Sequence, residues 1–370
     1  MNFNFYHRFD EIPTDDWEIL SKKNKLFLSK SFLQTFEYDS DIHFSPVYVV
    51  AKIDSILVGI LYAQIFKLNS QKIKEYIRYG NSVLTTFSRV KLIFAEFLSL
   101  RVCFMGNLFM SNECSFYFKE QLKPHEFSKL LEEICDFTGS KFVMIPEFFN
   151  DIIPEKNINF LPIYVEPDMH LKILNKWTHF CDYTNDIQSK YKKKLRKVLS
   201  NSSSLKIIDF KIEDLKLFES QISSLFNNVF HNSSFNASKF KPYFFHHFMQ
   251  NGINISVQGY FFEDKLVGFS SSIVHQNMLY VYFMGLDYNL NKSYDIYSKM
   301  LYDKIKYAID HQLDLIKFGR TASEFKSNFG AIPQCNKAYV YSNSYLLARL
   351  LSPFTNLIKP KIWNQRNPFK

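Results

Sequence analysis

The stretch Phe318-Gly319-Arg320-Thr321-Ala322-Ser323-Glu324-Phe325-Lys326 sets two cations six positions apart, directly after an apolar run that stops at Gly319. Gly330-Ala331 closes the segment ahead of Ile332-Pro333. A strand end that opens onto a short helix offers backbone N–H groups beside positive charge, and that combination holds phosphates and carboxylates. Arg320 and Lys326 are therefore candidate anion ligands, with solvated surface cations as the plain alternative. Glu324 lies between them, either as a carboxylate for proton transfer or as the partner of Arg320 across a helical turn.

A second group of candidates lies on Leu279-Tyr280-Val281-Tyr282-Phe283-Met284-Gly285-Leu286-Asp287. Read as a strand, it puts the hydroxyls of Tyr280 and Tyr282 on one face. Asp287 ends the run, where a carboxylate can accept a proton directly or through water or simply open the turn before Asn289. Ser293 then caps a predicted helix in which Tyr297, Leu301, Ile305, Ala308 and Ile309 share a face. With 22 Tyr and 40 Phe in the chain, a single aromatic is a poor functional clue.

The elements that must position these residues follow a regular order from residue 205 onward. Leu205–Phe210 reads as a strand, Ile212–Phe230 as a helix, His231–Ser238 as a polar break and Lys239–Gln250 as a second helical piece. Three strands follow, Ile255–Phe262, Leu266–Val274 and Met278–Gly285, joined by turns at Glu263-Asp264-Lys265 and His275-Gln276-Asn277. After the helix from Ser293 come a strand at Asp314–Phe318, a short helix near 322 to 329 and a last strand at Lys337–Ser342. The first half holds a similar hairpin, Val47–Ile53 and Ile56–Phe66 around Asp54-Ser55. Its Leu57-Val58-Gly59 parallels Leu266-Val267-Gly268, which points to a tandem duplication.

A chain of 370 residues has room for two domains, and 46% hydrophobic residues make it densely globular. The net charge of +9 favours an anionic partner such as a phosphorylated cofactor, RNA or a membrane surface. The five cysteines form no Cys-x-x-Cys pair, which fits a reduced cytoplasmic protein without structural zinc. Met1 to Trp17 has no apolar core of signal-peptide length, and the apolar run Phe97 to Met110 contains Arg101 and is too short to span a bilayer. The run Ser189 to Ser204 carries Lys190, Lys192, Lys193, Lys194, Arg196 and Lys197. It reads as a basic helix that either binds the acceptor stem of a tRNA or a polyphosphate headgroup, or is a wet face. Ser344 to Lys370 has five Lys or Arg and no acid, and either touches an anionic membrane peripherally or docks on its own domain. His246 and His247 point about 100° apart on a helix, so they form no usual metal pair. Without a Gly-x-Ser-x-Gly elbow, a Walker A loop or Gly-x-Gly-x-x-Gly, hydrolase, NTPase and dinucleotide chemistry are disfavoured.

With the strand Leu279 to Asp287, the helix from Ser293, and Phe318-Gly319-Arg320 with Lys326 and Gly330-Ala331 in place, residues 190 to 342 resemble the GNAT acyltransferase superfamily. The similarity is to its FemAB-like or BioF2-like branch, in which two GNAT domains occur in tandem. The resemblance implies an α/β protein with two tandem GNAT-like domains, each a mixed, mostly antiparallel sheet flanked by helices. The expected boundaries are a degenerate N-terminal domain at 1–170, a basic helical connection at 171–204, the second GNAT domain at 205–343 and a basic tail at 344–370. In such enzymes the fourth strand splays from the fifth and an acyl-pantetheine arm enters the gap. This implies a donor site at Tyr282, Gly285, Ser293, Arg320 and Lys326, and proton transfer by Asp287, Tyr282 or Glu324. The implied co-substrate is acyl-CoA or acetyl-CoA without a metal, and the acceptor is a small-molecule or cell-envelope precursor amine. One departure keeps aminoacyl-tRNA, the donor in Fem-type enzymes, as an alternative: between Gly285 and Ser293 stands Asn289-Leu290-Asn291-Lys292 in place of a Gly-rich phosphate loop. A non-catalytic GNAT-like module binding an anionic glycan, lipid or RNA is the remaining reading.

Overall fold

The two hairpins picked out by their matching tripeptides are built alike. In the computed structural model β2 (Phe44–Ile53) and β3 (Ile56–Leu68) turn through Asp54-Ser55, with φ of 45° and 68°. β10 (Ile255–Phe262) and β11 (Lys265–His275) turn through Glu263-Asp264, with φ of 46° and 61°. Two left-handed residues give the turn whose twist suits a two-residue hairpin. Each hairpin then carries the same bulge. Ala51 pairs with Gly59 and Lys52 with Leu57, leaving Val58 over, while Tyr260 pairs with Gly268 and Phe261 with Leu266, leaving Val267 over.

The structure describes residues 1–13, 16–21, 26–39, 44–68, 100–111, 113–154, 157–232, 241–334, 337–355 and 362–370. They group into two units, one from Met1–Val165 and Asn336–Lys361, the other from Glu166–Ser233, Phe240–Cys335 and Ile362–Lys370.

In the first unit β1 (Asn2–Tyr6), β2, β3, β4 (Leu100–Phe104), β6 (Phe142–Ile145), β15 (Lys337–Tyr341) and β7 (Phe160–Tyr164) lie side by side in that order. β5 (Phe116–Phe118) pairs with β3. Only β4 and β6 run parallel among these pairs. Short helices α1 (Asp16–Ser21) and α2 (Lys30–Leu33) precede β2. The longer α3 (Pro124–Thr138) lays Phe127, Leu130, Leu131 and Ile134 on the sheet core, the spacing of one helical face.

The second unit orders its strands β14 (Ile332–Gln334), β8 (Asp168–Lys172), β13 (Leu315–Lys317), β12 (Met278–Leu286), β11, β10 and β9 (Lys206–Asp209). β12 and β13 are its one parallel pair among the described residues. One face buries Met169, Leu171, Leu279, Val281, Ile316 and Phe318 under three helices. These are α4 (Phe180–Asp186), α5 (Ser189–Asn201) and α10 (Ile296–Asp310). Behind the other face, α7 (Glu219–Asn232) sets Phe226 5.5 Å from Phe283, and α8 (Phe244–Gln250) sets Phe248 6.0 Å from Tyr282, ring centre to ring centre.

The division differs from the sequence expectation in three places. β15 completes the first sheet, pairing Tyr339 with Ile145 on one side and Pro162 on the other, so it is not the last strand of the second domain. α5 is not a connection: Tyr191, Leu195 and Val198 bury one stripe in the second core while its cations stay outside. Residues 344–370 are not a single tail, because α12 (Tyr345–Thr355) belongs to the first unit and residues 362–370 to the second. There Gln188 N–H donates to the Pro368 carbonyl at 2.8 Å, and the Phe369 ring covers Gly330 so closely that a Cβ would sit 2.3 Å from it. The helix expected over Ile212–Phe230 breaks at Phe218 into α6 (Ile212–Leu217) and α7. Of the polar break at His231–Ser238, residues 233–238 lie outside the described residues. No helix among the described residues is long and apolar enough to cross a membrane.

Candidate active site

β12 and β13 pair at only three rungs, Met278 with Leu315, Leu279 with Ile316 and Tyr280 with Lys317. On its other side β12 stays paired with β11 as far as Leu286. From Val281 to Leu286, then, among the described residues the strand pairs with β11 along one edge and parts from β13 along the other, leaving a notch between the two strands. A bulge lies on this stretch. Ser272 faces Val281 and Ser270 faces Met284, so Ser271 spans both Tyr282 and Phe283. Its hydroxyl accepts from Phe283 N–H and donates to the Phe283 carbonyl, each at 2.8 Å. The bulge turns the two aromatics to the same face, where Tyr282 is half-buried.

β13 stops because the chain turns left-handed, with φ of 75° at Gly319, 70° at Thr321 and 50° at Ala322. Two non-glycine residues in that region cost about 1–2 kcal/mol each. Lys326, on α11 (Ser323–Ser327), holds the turn. Its ammonium donates to the carbonyls of Phe318 at 2.8 Å, Gly319 at 3.0 Å and Arg320 at 2.8 Å. The residue is 4% exposed. Burial pulls its pKa down to about 8, against the opposing pull of the Asp168 and Glu166 carboxylates. Burial likewise raises the Glu166 carboxyl, while Lys326, the Thr321 N–H and Arg320 favour its ionised form. Lys326 is thus a clasp on the strand end rather than a solvated anion ligand. Arg320 remains half-buried at the turn.

Other predicted residues have structural tasks that the sequence did not reveal. Asp287 caps α9 (Tyr288–Tyr294), accepting from Asn289 N–H at 2.9 Å and Leu290 N–H at 3.2 Å. Ser293 is exposed within α9 and caps nothing. The long helix α10 begins after Asp295, whose φ is 49°. Its start is already filled, because Tyr297 N–H donates to Asn291 Oδ1 at 2.8 Å and the Asp295 carboxylate accepts from Asn201 at 2.8 Å. Gly285 is required by packing: a Cβ there would lie 2.7 Å from the backbone of Leu225 and Phe226 on α7 and 2.3 Å from the Phe269 ring. Glu324 pairs with Arg366, not with Arg320. Of the predicted residues, Tyr282 and Gly285 lie on the β12 stretch beyond the last rung and Arg320 and Lys326 at the turn that ends β13, while Asp287 caps α9, Glu324 pairs with Arg366 and Ser293 is exposed.

Sequence reasoning missed Lys317, Asp168 and His170. The Lys317 ammonium lies 3.4 Å from the Tyr280 hydroxyl and 4.8 Å from the centre of its ring. His170 is opposite Lys317 across β8 and β13. Asp168-Met169-His170-Leu171 does alternate polar with apolar, but its pairing with a strand some 145 residues later leaves no local mark. Among the described residues no group of three or more His, Cys, Asp or Glu could hold a metal.

This geometry agrees with what the chain resembles. Residues 189–327 match the family model described as Acetyltransferase (GNAT) domain. The fold is similar to that of FemX, with a TM-score of 0.50, 10% identity, and 94% of this chain and 100% of that one covered. It is equally similar to a tandem GNAT protein from the clavulanic acid biosynthesis pathway, with a TM-score of 0.50, 7% identity, and 93% and 99% covered. A conserved protein of unknown function from Bacteroides thetaiotaomicron VPI-5482 gives 0.50, 12% identity, and 92% and 100%. No curated protein matches by sequence. Residues 189–327 thus carry a GNAT domain, and the fold of the chain is similar to that of FemX and of a tandem GNAT protein. Its GNAT domain is of the acyltransferase type, a class that in general uses acyl-CoA.

Proposed function

We propose that the protein is an N-acyltransferase whose second unit moves an acyl group from a carrier to an amine by direct attack. The observation that carries this reading is the parting of the strands, where among the described residues β12 pairs with β13 only as far as Tyr280 inside a GNAT domain. An extended acyl-bearing arm can pair with that edge as an added strand, which aligns its carbonyl without a covalent enzyme intermediate. The donor is read first as an acyl-CoA thioester. A second reading, aminoacyl-tRNA, gains from the filled start of α10. A pyrophosphate bound there would have to displace Asn291 from Tyr297 N–H and meet the Asp295 carboxylate. Either donor would serve a small-molecule or cell-envelope precursor amine.

Thermal stabilisation of the purified protein by CoA, acetyl-CoA, longer acyl-CoAs and an aminoacyl-tRNA pool at fixed salt tests both donors, since a ligand of the native state raises Tm. A CoA response establishes thioester use and narrows the acyl group. A response to charged tRNA alone moves the aminoacyl reading first, and silence towards all of them leaves a non-catalytic anion-binding module.

A further inference from the structure

The face of the second sheet opposite α4, α5 and α10 carries a row of polar side chains that ends at the notch. Met169 and Leu171 point into the core beneath those helices, so Asp168, His170 and Lys172 of β8 point the other way. His170 stands opposite Lys317, and Lys317 opposite Tyr280 at the last rung before β12 and β13 part. Directly opposed side chains on paired strands have Cβ atoms about 5 Å apart. His170 Nε2 is 3.4 Å from Asp168 Oδ1, and Lys317 Nζ is 3.4 Å from the Tyr280 hydroxyl. Asp168 is 0% exposed, Tyr280 3% and His170 8%, whereas Lys317 is only half-buried. Burying an acid, an imidazole and a phenol in one line costs desolvation that an apolar row would avoid. An acyltransferase needs such a line in one place, where an ammonium must lose its proton beside the acyl carbonyl.

We propose that His170 is the proton acceptor for the amine substrate and that Asp168 is its positioning residue, an assignment that rests on the acyl-transfer reading. The incoming ammonium gives one proton to the neutral imidazole. Its nitrogen lone pair then forms the C–N bond, and the carbonyl electrons move onto oxygen, where the Lys317 ammonium stabilises the charge. Collapse breaks the bond to the carrier, and the leaving thiolate or alkoxide takes the second nitrogen proton. The imidazolium returns its proton to solvent. The Asp168 carboxylate, its Oδ1 3.4 Å from Nε2, orients the ring, as a carboxylate beside a catalytic histidine does. Among the described residues, the charged or titratable groups on the same face of the neighbouring strands include Lys172 on β8, Lys317 on β13 and Tyr280 on β12. The β14 residue opposite His170 is Ile332, and Lys326 acts on Asp168 from the strand end.

Kinetics on the full chain decide it. With the donor found by the thermal screen, His170→Gln keeps donor stabilisation but loses roughly 10²–10⁴ in kcat, the usual worth of a general base. Asp168→Asn likewise keeps donor stabilisation and KM but lowers kcat, and Asp168→Glu restores part of the loss. Unchanged kcat in His170→Gln, or a kcat indifferent to Asp168→Asn, overturns the assignment while the acyltransferase reading stands. A wild-type protein stabilised by no donor removes both.

Discussion

Replacing Lys326 with Met removes the clasp on the β13 turn and keeps the volume of the side chain. Of the three carbonyls it serves, Gly319 also accepts from Met169 N–H, which leaves those of Phe318 and Arg320 to lose the ammonium. At about 1–3 kcal/mol for each of these two groups, the variant is about 2–6 kcal/mol less stable at pH 7. The pH dependence separates this from ordinary core damage. The Lys326 pKa is about 8 in the fold against 10.5 for the free side chain, so between those values the unfolded chain binds more protons. Stability of the wild type therefore rises with pH across that window, as the cost of burying the charge is relieved. Linkage gives a gain of about 1.3 kcal/mol from pH 7 to pH 9 for this one group. Lys304, also brought to about 8 by burial, adds the same rise to both proteins and cancels in the comparison. Urea unfolding followed by tryptophan fluorescence at pH 7, 8 and 9 measures it. The gap between wild type and variant should widen with pH, and two parallel stability curves would refute the clasp.

Two other changes test neighbouring features. Gly285→Ala forces a methyl against the α7 backbone and should destabilise by about 1–3 kcal/mol, the range for overpacking, read as a lower Tm. Asp295→Asn removes a negative charge from the start of α10 and should strengthen CoA or inorganic pyrophosphate binding several-fold in calorimetry, with no gain if that helix start is not part of a donor site.

What could be read from the chain depended on the range of the interactions involved. The hairpins β2–β3, β10–β11 and β11–β12 were legible because short polar turns and strand-like runs determine them locally. β15 was placed in the wrong sheet because its partners, β6 and β7, lie nearly two hundred residues earlier and no local pattern distinguishes one edge from another. Tyr191, Leu195 and Val198 of α5 already showed a helical stripe, but the six cations around them suggested a connecting segment. Arg320 and Lys326 looked alike as charges, yet five residues of helix carry one inward to three carbonyls and leave the other at the turn. Ser293 resembled a cap because capping residues are recognised by type, whereas α10 starts at a left-handed Asp that only the backbone reveals.

The place of β15 between β6 and β7 also sets the order in which the chain can be completed on the ribosome. Among the described residues β7 joins its sheet only through β15, which is made some 170 residues later. At about 5–20 residues per second, β6 and β7 wait of the order of 10–35 s with open edges while the second unit is synthesised. A gene cut after Val165 would accordingly yield an unfinished sheet rather than a free first domain. A peptide spanning 337–355, supplied separately, would be the piece that completes it, so the chain is laid out as a split protein whose halves report their own reassembly.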